Sequence, residues 1–396
     1  MKRSVTRFPH QAVTRFLRAL KTRVSSDRNH RSVSLPPKNN PRGRVLLSYI
    51  IDPFLLRPGD AISNQHTHYW ESAEIARLFL QRDYAIDVIS YRNTWFMPKH
   101  AYDVFISART NLQQIAERLN PNCIKIAHLD TAHWVANNRA AYGRLNDLKE
   151  RRGIVLHDPK LIEKNWAIEH ADIATVLGND YTLETYRYAK KPIYRIPIST
   201  PAVYEWPEDK NFSDCRMNFI WFGSAGFVHK GLDLVLEAFA GLPDHRLTVF
   251  APLEAEPRFC RAFHRELYET ANINAYGWID VESVSFQNQM DNAIGLVYPS
   301  CAEGGGGSVL TCMHAGVIPI VTRSASVDLN GAGVELCQCS VGAIRAAIES
   351  ISAEPAQKLR ALSLAAWNQA RANHTRERFS GTYGHFIDTV ITPMLT

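Results

Sequence analysis

What most limits the fold of this 396-residue chain is a repeated alternation of short apolar runs and helical patterns. From residue 44, strands are predicted at 44–51, 85–90, 103–107, 123–128 and 174–177. Helices are predicted at 72–82, 159–170 and 182–188. Short apolar strands separated by helices indicate parallel βαβ units, buried on both faces. The pattern stops at 199–214, a proline-containing polar stretch that reads as a linker, and then restarts. Strands at 218–222, 247–250, 273–276, 295–298 and 318–322 alternate with helices at 231–239, 257–269 and 283–292. A further helix opens at Ser308, and the chain is helical almost throughout from 341. The expected fold class is α/β: two doubly wound, Rossmann-like domains facing a cleft at the C-terminal ends of their strands. The divisions read as a basic leader and linker at 1–43, a first domain at 44–198, a linker at 199–214, a second domain at 215–375 and a C-terminal helix at 376–396 that returns to the first domain.

Charge is distributed unevenly. Residues 1–44 carry 12 Lys and Arg against one acid, leaving 33 basic and 38 acidic residues, a balance of −5, for the body. In the leader, Phe8, Val13, Phe16, Leu17, Leu20 and Val24 recur near helical spacing, with Arg15, Arg18, Lys21 and Arg23 between them. Such a segment fits an anionic membrane surface, and equally a solvated tail. The mildly acidic body, with no basic stripe interleaved with aromatics, argues against nucleic acid as a partner. No apolar run reaches the roughly 18 residues a membrane span needs, and no apolar core or cleavage site opens the chain. Seven cysteines without framework spacing read as reduced thiols of a cytoplasmic protein.

Two strand-to-helix loops carry the chemistry. The first is Pro299-Ser-Cys-Ala-Glu303-Gly-Gly-Gly-Gly-Ser308-Val-Leu-Thr311-Cys-Met-His-Ala-Gly316-Val-Ile-Pro319. Four glycines leading into a helix leave amides bare at the positive end of its dipole. That suits a phosphate, with one carboxylate beside it for sugar hydroxyls. The second is Trp221-Phe-Gly-Ser224-Ala-Gly226-Phe-Val-His-Lys230-Gly231, which places an ammonium at another helix start.

Together these loops resemble the donor domain of GT-B glycosyltransferases, family 4-like (bacterial group 1), and the likeness extends over most of residues 44–396. Gly277-Trp278 and Gly295-Leu-Val-Tyr-Pro-Ser300 fall where that family has its donor-base strand and its last strand before the carboxylate loop. His66-Thr-His-Tyr69-Trp-Glu71 is similar to the acceptor-side loop and first helix of bacterial relatives. The resemblance implies that Glu303 holds hydroxyls of the transferred sugar. It implies that the Gly304, Gly305, Gly306 and Gly307 amides, with Ser308, hold the diphosphate, that Lys230 clamps it, and that His128 lies near the anomeric centre as a catalytic residue. The resemblance also implies that Trp278 lies on the donor side and His66 and Tyr69 on the acceptor side; Asp52, at the end of the first strand, is placed either to face the acceptor or to form the turn before Pro53. Two positions depart from the pattern. Thr311 stands where the family has a second glutamate for the ribose, and Ser224 where it has an arginine; His229 is the nearest replacement cation.

What the resemblance implies is a metal-independent, configuration-retaining glycosyltransferase of EC class 2.4, without a cofactor. It would move a sugar from a UDP- or GDP-linked donor to a glycan or glycolipid acceptor. The expected setting is polysaccharide assembly in the cytoplasm, with the leader touching the inner face of the plasma membrane. A degenerate sugar-nucleotide or glycan-binding protein of the same fold, or a sugar-nucleotide epimerase, fits the same residues.

Overall fold

In the computed structural model, which describes residues 29–395, two sheets face each other across a crevice. The first sheet has seven strands in the order β1-β3-β2-β4-β5-β6-β7. These are β1 (Ser32–Leu35), β2 (Gly43–Tyr49), β3 (Tyr84–Ser90), β4 (Val104–Ser107), β5 (Ile124–Leu129), β6 (Ile173–Val176) and β7 (Ile193–Arg195). β1 runs antiparallel to β3 and every other pairing is parallel. β3 and β4 are buried along their whole length, as strands sandwiched between helices must be. Helix α1 (Thr67–Leu80) follows β2. Its N-cap is His66, whose ring nitrogen accepts the His68 amide.

Helix α2 (Trp134–Arg152) ends on Gly153 in the left-handed conformation (φ 66°), a standard helix stop. The segment after it, read as a helix over 159–170, is irregular until Ala167–His170. It is strapped to α2 by side-chain amides instead. Asn138 Oδ1 accepts the Ile162 amide (2.8 Å), Asn138 Nδ2 donates to the Ile162 carbonyl (2.9 Å), and Asn137 Nδ2 donates to the Lys160 carbonyl (3.1 Å).

The second sheet is wholly parallel, in the order β10-β9-β8-β11-β12-β13. Its strands are β8 (Asn218–Phe222), β9 (Arg246–Phe250), β10 (Ile273–Gly277), β11 (Gly295–Tyr298), β12 (Ile318–Thr322) and β13 (Val334–Leu336). Counted from β8 the order is 3-2-1-4-5-6, with the switch point between β8 and β11. Helix α3 (Leu232–Ala240) follows β8, and helix α4 (Gly307–His314) follows β11. Both phosphate-loop candidates therefore lie side by side at the switch point, where doubly wound sheets bind ligands.

The crossover from the first sheet is tied down rather than loose. Lys210 is buried, and its Nζ donates to the Met290 (3.0 Å) and Gly316 (3.1 Å) carbonyls. The Tyr204 hydroxyl donates to the Val281 carbonyl (2.7 Å). At the other end, helix α5 (Arg376–Phe386) lies on α1: Phe379 packs edge-on to Trp70, and Arg82 pairs with Asp388 just beyond α5.

One division needs correction. The stretch read as leader and linker contains β1, recruited by alternating half-buried Val33 and Leu35 and by the Ser34 hydroxyl donating to Asp87 Oδ1. The basic amphipathic pattern over 8–24 lies outside the described residues. All seven cysteines are free thiols. Among the described residues, no helix is long and apolar enough to cross a membrane.

Candidate active site

β11 delivers its chain to a turn, and the turn reverses through the four glycines. Gly306 is the N-cap of α4 at φ 60°; a Cβ there would stand 2.7 Å from the Ala325 carbonyl oxygen. Gly304 faces the first domain, and a Cβ on it would overlap the Asp130 carbonyl oxygen. The two sheets thus meet backbone to backbone at this loop. Among the described residues, none of the amides of Gly304–Gly307 donates a hydrogen bond, although Gly304, Gly305 and Gly306 are buried. Buried amides without partners at a helix start are a standing acceptor for an anion.

Glu303 stands beside them. Its Oε1 accepts from the Tyr298 hydroxyl (3.0 Å) and the Ser300 hydroxyl (2.9 Å), and its Oε2 lies 3.8 Å from Lys160 Nζ. Burial pushes its carboxyl up. Lys160, Lys230 and His229, with the Ser300 hydroxyl, outweigh that and hold it at about 2, so the group is ionised.

Lys230 is 4% exposed and donates to the Ser224 hydroxyl (2.6 Å). Burial, then the neighbouring Lys160, push its ammonium down to about 7, against the pull of Glu303 and Glu256. Glu256 caps the loop below, accepting the amides of Gly226 and Phe227 (3.1 Å for the latter). A second, longer bond runs from Lys230 Nζ to the Ser224 carbonyl (3.4 Å). His229 is no replacement cation. It is buried, its Nε2–H donates to the Ala302 carbonyl (2.6 Å), and burial holds it down at about 4. Thr311 also differs from its expected place: its hydroxyl donates to the Gly307 carbonyl of its own helix (2.9 Å). The Ser308 hydroxyl turns to Tyr298. Trp278 stands 58% exposed just beyond β10.

The first domain presents a polar face. Arg109, in the left-handed region at φ 62°, grips Asp130 with two bonds (3.1 and 3.0 Å) and stacks on Tyr91. A bulky residue held there marks a constrained position of the kind found at functional sites. His68 Nδ1 lies 3.6 Å from Asp130, and its Nε2 lies 4.0 Å from Glu71. Glu71 is fully buried; the Ser199 amide and hydroxyl both donate to its Oε1 (2.9 Å each). Part of His66 reaches solvent, yet burial holds its imidazole down at about 4, and Asp130, Lys230, Arg109 and Lys160 all act on it, so its loop lies against the two strand-to-helix loops of the second domain. Tyr69 sits in the first turn of α1, half-buried, and Asp52 opens a short 3-10 turn (Asp52–Leu55) after β2.

His128 lies elsewhere than expected. It is 1% exposed, wedged between the Tyr49 and Tyr383 rings, with Nδ1 on the Thr175 hydroxyl (2.8 Å). It sits one aromatic layer beneath His68, so the histidines at the crevice are His66 and His68. Burial holds His128 down at about 4. Lys160, Arg109 and Glu256 join the site without a motif in the sequence. Only Arg109, next to a strand's C-terminal end, carried any local signal.

The class that this fold defines is the GT-B glycosyltransferase fold. The chain is similar to sucrose-phosphate synthase of Thermosynechococcus elongatus (14% identity, 90% of this chain and 100% of that one, TM-score 0.62). It is also similar to Anabaena HepE, solved in complex with UDP and glucose (13%, 88% and 100%, TM-score 0.55). A third likeness is to WaaG, a glycosyltransferase involved in lipopolysaccharide biosynthesis (12%, 88% and 99%, TM-score 0.50). Other matched structures are of longer chains, of which this one spans a little over half, 56% to 58%. No family model and no curated protein matches the sequence.

Proposed function

We propose that the protein transfers a sugar from a nucleoside-diphosphate donor, UDP- or GDP-linked, to a glycan or glycolipid acceptor. The observation that carries this reading is Glu303, an ionised carboxylate set between two ammoniums at a helix start whose amides are unpartnered. Amides and ammoniums suit a diphosphate leaving group, and a charged carboxylate between them suits sugar hydroxyls. Transfer is expected to retain the anomeric configuration. The donor's own phosphate oxygen would take the acceptor proton, and Lys230 with the Gly304–Gly307 amides would stabilise the charge that develops. Those groups neutralise the diphosphate without a metal. The acceptor would enter over His66, His68 and the Asp130–Arg109 pair, with the basic residues of 1–43 as a tether to an anionic membrane face. WaaG and HepE support a glycolipid or glycan acceptor and a UDP-linked donor, respectively, by likeness of fold.

One observation favours a second reading. With Thr311 bonded to its own helix, the ribose lacks the expected carboxylate, as suits a protein that binds donor without turning it over. A panel of UDP- and GDP-sugars tests both, with thermal shift reporting binding and free nucleotide reporting turnover. A donor-specific shift with nucleotide release and a glycosylated product supports the transferase, and an anomeric NMR signal of that product gives the stereochemistry. A shift without release supports the second reading, and conversion of the donor sugar without any acceptor supports an epimerase. No shift with any of them overturns the assignment.

A further inference from the structure

We propose that Lys160, carried by the first domain, is the second cation of the diphosphate site, so that the bound diphosphate bridges the two domains through Lys160 and Lys230. This rests on the donor-site reading given above.

The second domain supplies one ammonium, Lys230, and in place of a neighbouring guanidinium it has Ser224, to which Lys230 donates. His229 is neutral and tied to a carbonyl. Lys160 arrives from the opposite side. Its Nζ pairs with Glu303 Oε2 at 3.8 Å, longer than a hydrogen bond, and its side chain remains 35% exposed, so the ammonium has room for a further partner. Its stem lies on Gly226, where a Cβ would come 2.7 Å from Lys160 Cδ. A side chain at 226 would push the lysine off the loop.

The backbone that carries Lys160 is held by Asn137 and Asn138 of α2, and α2 in turn is paired to the second domain through Arg144 and Arg151 on Asp233. Lys160 thus reaches the donor loops from first-domain backbone that is docked on the second domain. The other nearby charges are already engaged: Glu256 on the Gly226 and Phe227 amides, Asp158 on Arg258. Lys160 acts on both Lys230 and Glu303. Two lysines converging from opposite domains beside unpartnered amides offer several donors to one anion. A nucleoside diphosphate supplies the acceptor oxygens and negative charge for them, which a nucleoside lacks.

The test uses the full chain, with UDP, GDP and the matching nucleosides as probes in titration calorimetry. Lys160→Ala is expected to weaken nucleoside diphosphate binding by about 10- to 100-fold, the span of one or two charge-assisted contacts. Nucleoside binding and the melting temperature should stay unchanged, and Lys160→Arg should restore most of the loss. Scattering should show wild type compacting on diphosphate addition, and Lys160→Ala compacting less. If wild type binds UDP or GDP and Lys160→Ala binds it equally well, the bridge is overturned while the donor site stands. If wild type binds neither, both readings fall. An equal loss for nucleoside and diphosphate would make Lys160 structural and would overturn the bridge.

Discussion

Two side chains set the chemistry at the residue scale. Lys160, Lys230 and His229 outweigh burial and keep Glu303 ionised, so in the proposed transfer it would orient the sugar by charge rather than pass a proton. Glu303→Ala should lower kcat/KM at least about 100-fold, some 2–3 kcal/mol, with little change in fold stability. Near-normal turnover would remove the carboxylate from the site. Lys230 offers a sharper measurement. Held down to about 7, it is largely neutral at pH 8 and charged at pH 6 in the free protein. A diphosphate favours the charged form and raises its proton affinity. Donor binding at pH 8 should therefore take up about one proton, and binding at pH 6 almost none. Calorimetry in two buffers of different ionisation enthalpy reads this directly, and uptake that does not change with pH would show that Lys230 does not meet the phosphate.

At the scale of elements, the legible parts were those where apolar runs and packing agree. The strands around 85–90, 218–222, 295–298 and 318–322 are buried on both faces, and their sequences are apolar for that reason. The glycine run at the switch point is legible because four glycines entering a helix have few other uses; the Lys-Gly loop, a common surface pair by itself, is legible only in its company. α2 was not readable. Its buried face is Asn137, Ala141, Arg144 and Leu148, at helical spacing but half polar, so no apolar stripe announces it. The strap after it is irregular where the sequence predicts a helix, because its polar anchors are side chains of another element. That substitution hid Lys160. It also yields a prediction: Asn138→Ala removes both bonds to Ile162 and frees the strap. Diphosphate affinity should fall several-fold at a stability cost of about 1–2 kcal/mol, and the nucleoside should bind as before. Equal affinity for the diphosphate in this variant would separate the strap from the site.

At the scale of the whole molecule, ion pairs such as Arg144–Asp233 and Arg323–Glu184 join what the crossover separates, and two further contacts bear on the crevice. The Gly304 loop abuts Asp130 across the crevice, and Glu71 on α1 holds Ser199 where the chain leaves the first sheet. The second contact gives the fold a pH dependence. Burial raises the Glu71 carboxyl to about 7, with Asp130 adding to it and the two Ser199 bonds pulling it back; His68 and Tyr49 face the same group. Unfolded, it would titrate near 4.5. Between these values the folded chain keeps a proton that the unfolded chain has lost, so stability falls as pH rises through the window and levels off above about 7. The full effect is at most about 3 kcal/mol. Glu71→Gln keeps an oxygen for both Ser199 donors but cannot ionise, so it should be flat where wild type declines. Urea midpoints taken from pH 5 to 8 should show the variant gaining on wild type as pH rises. Parallel curves would mean that Glu71 is charged in the folded protein, and that the crossover is held by an ion rather than an acid.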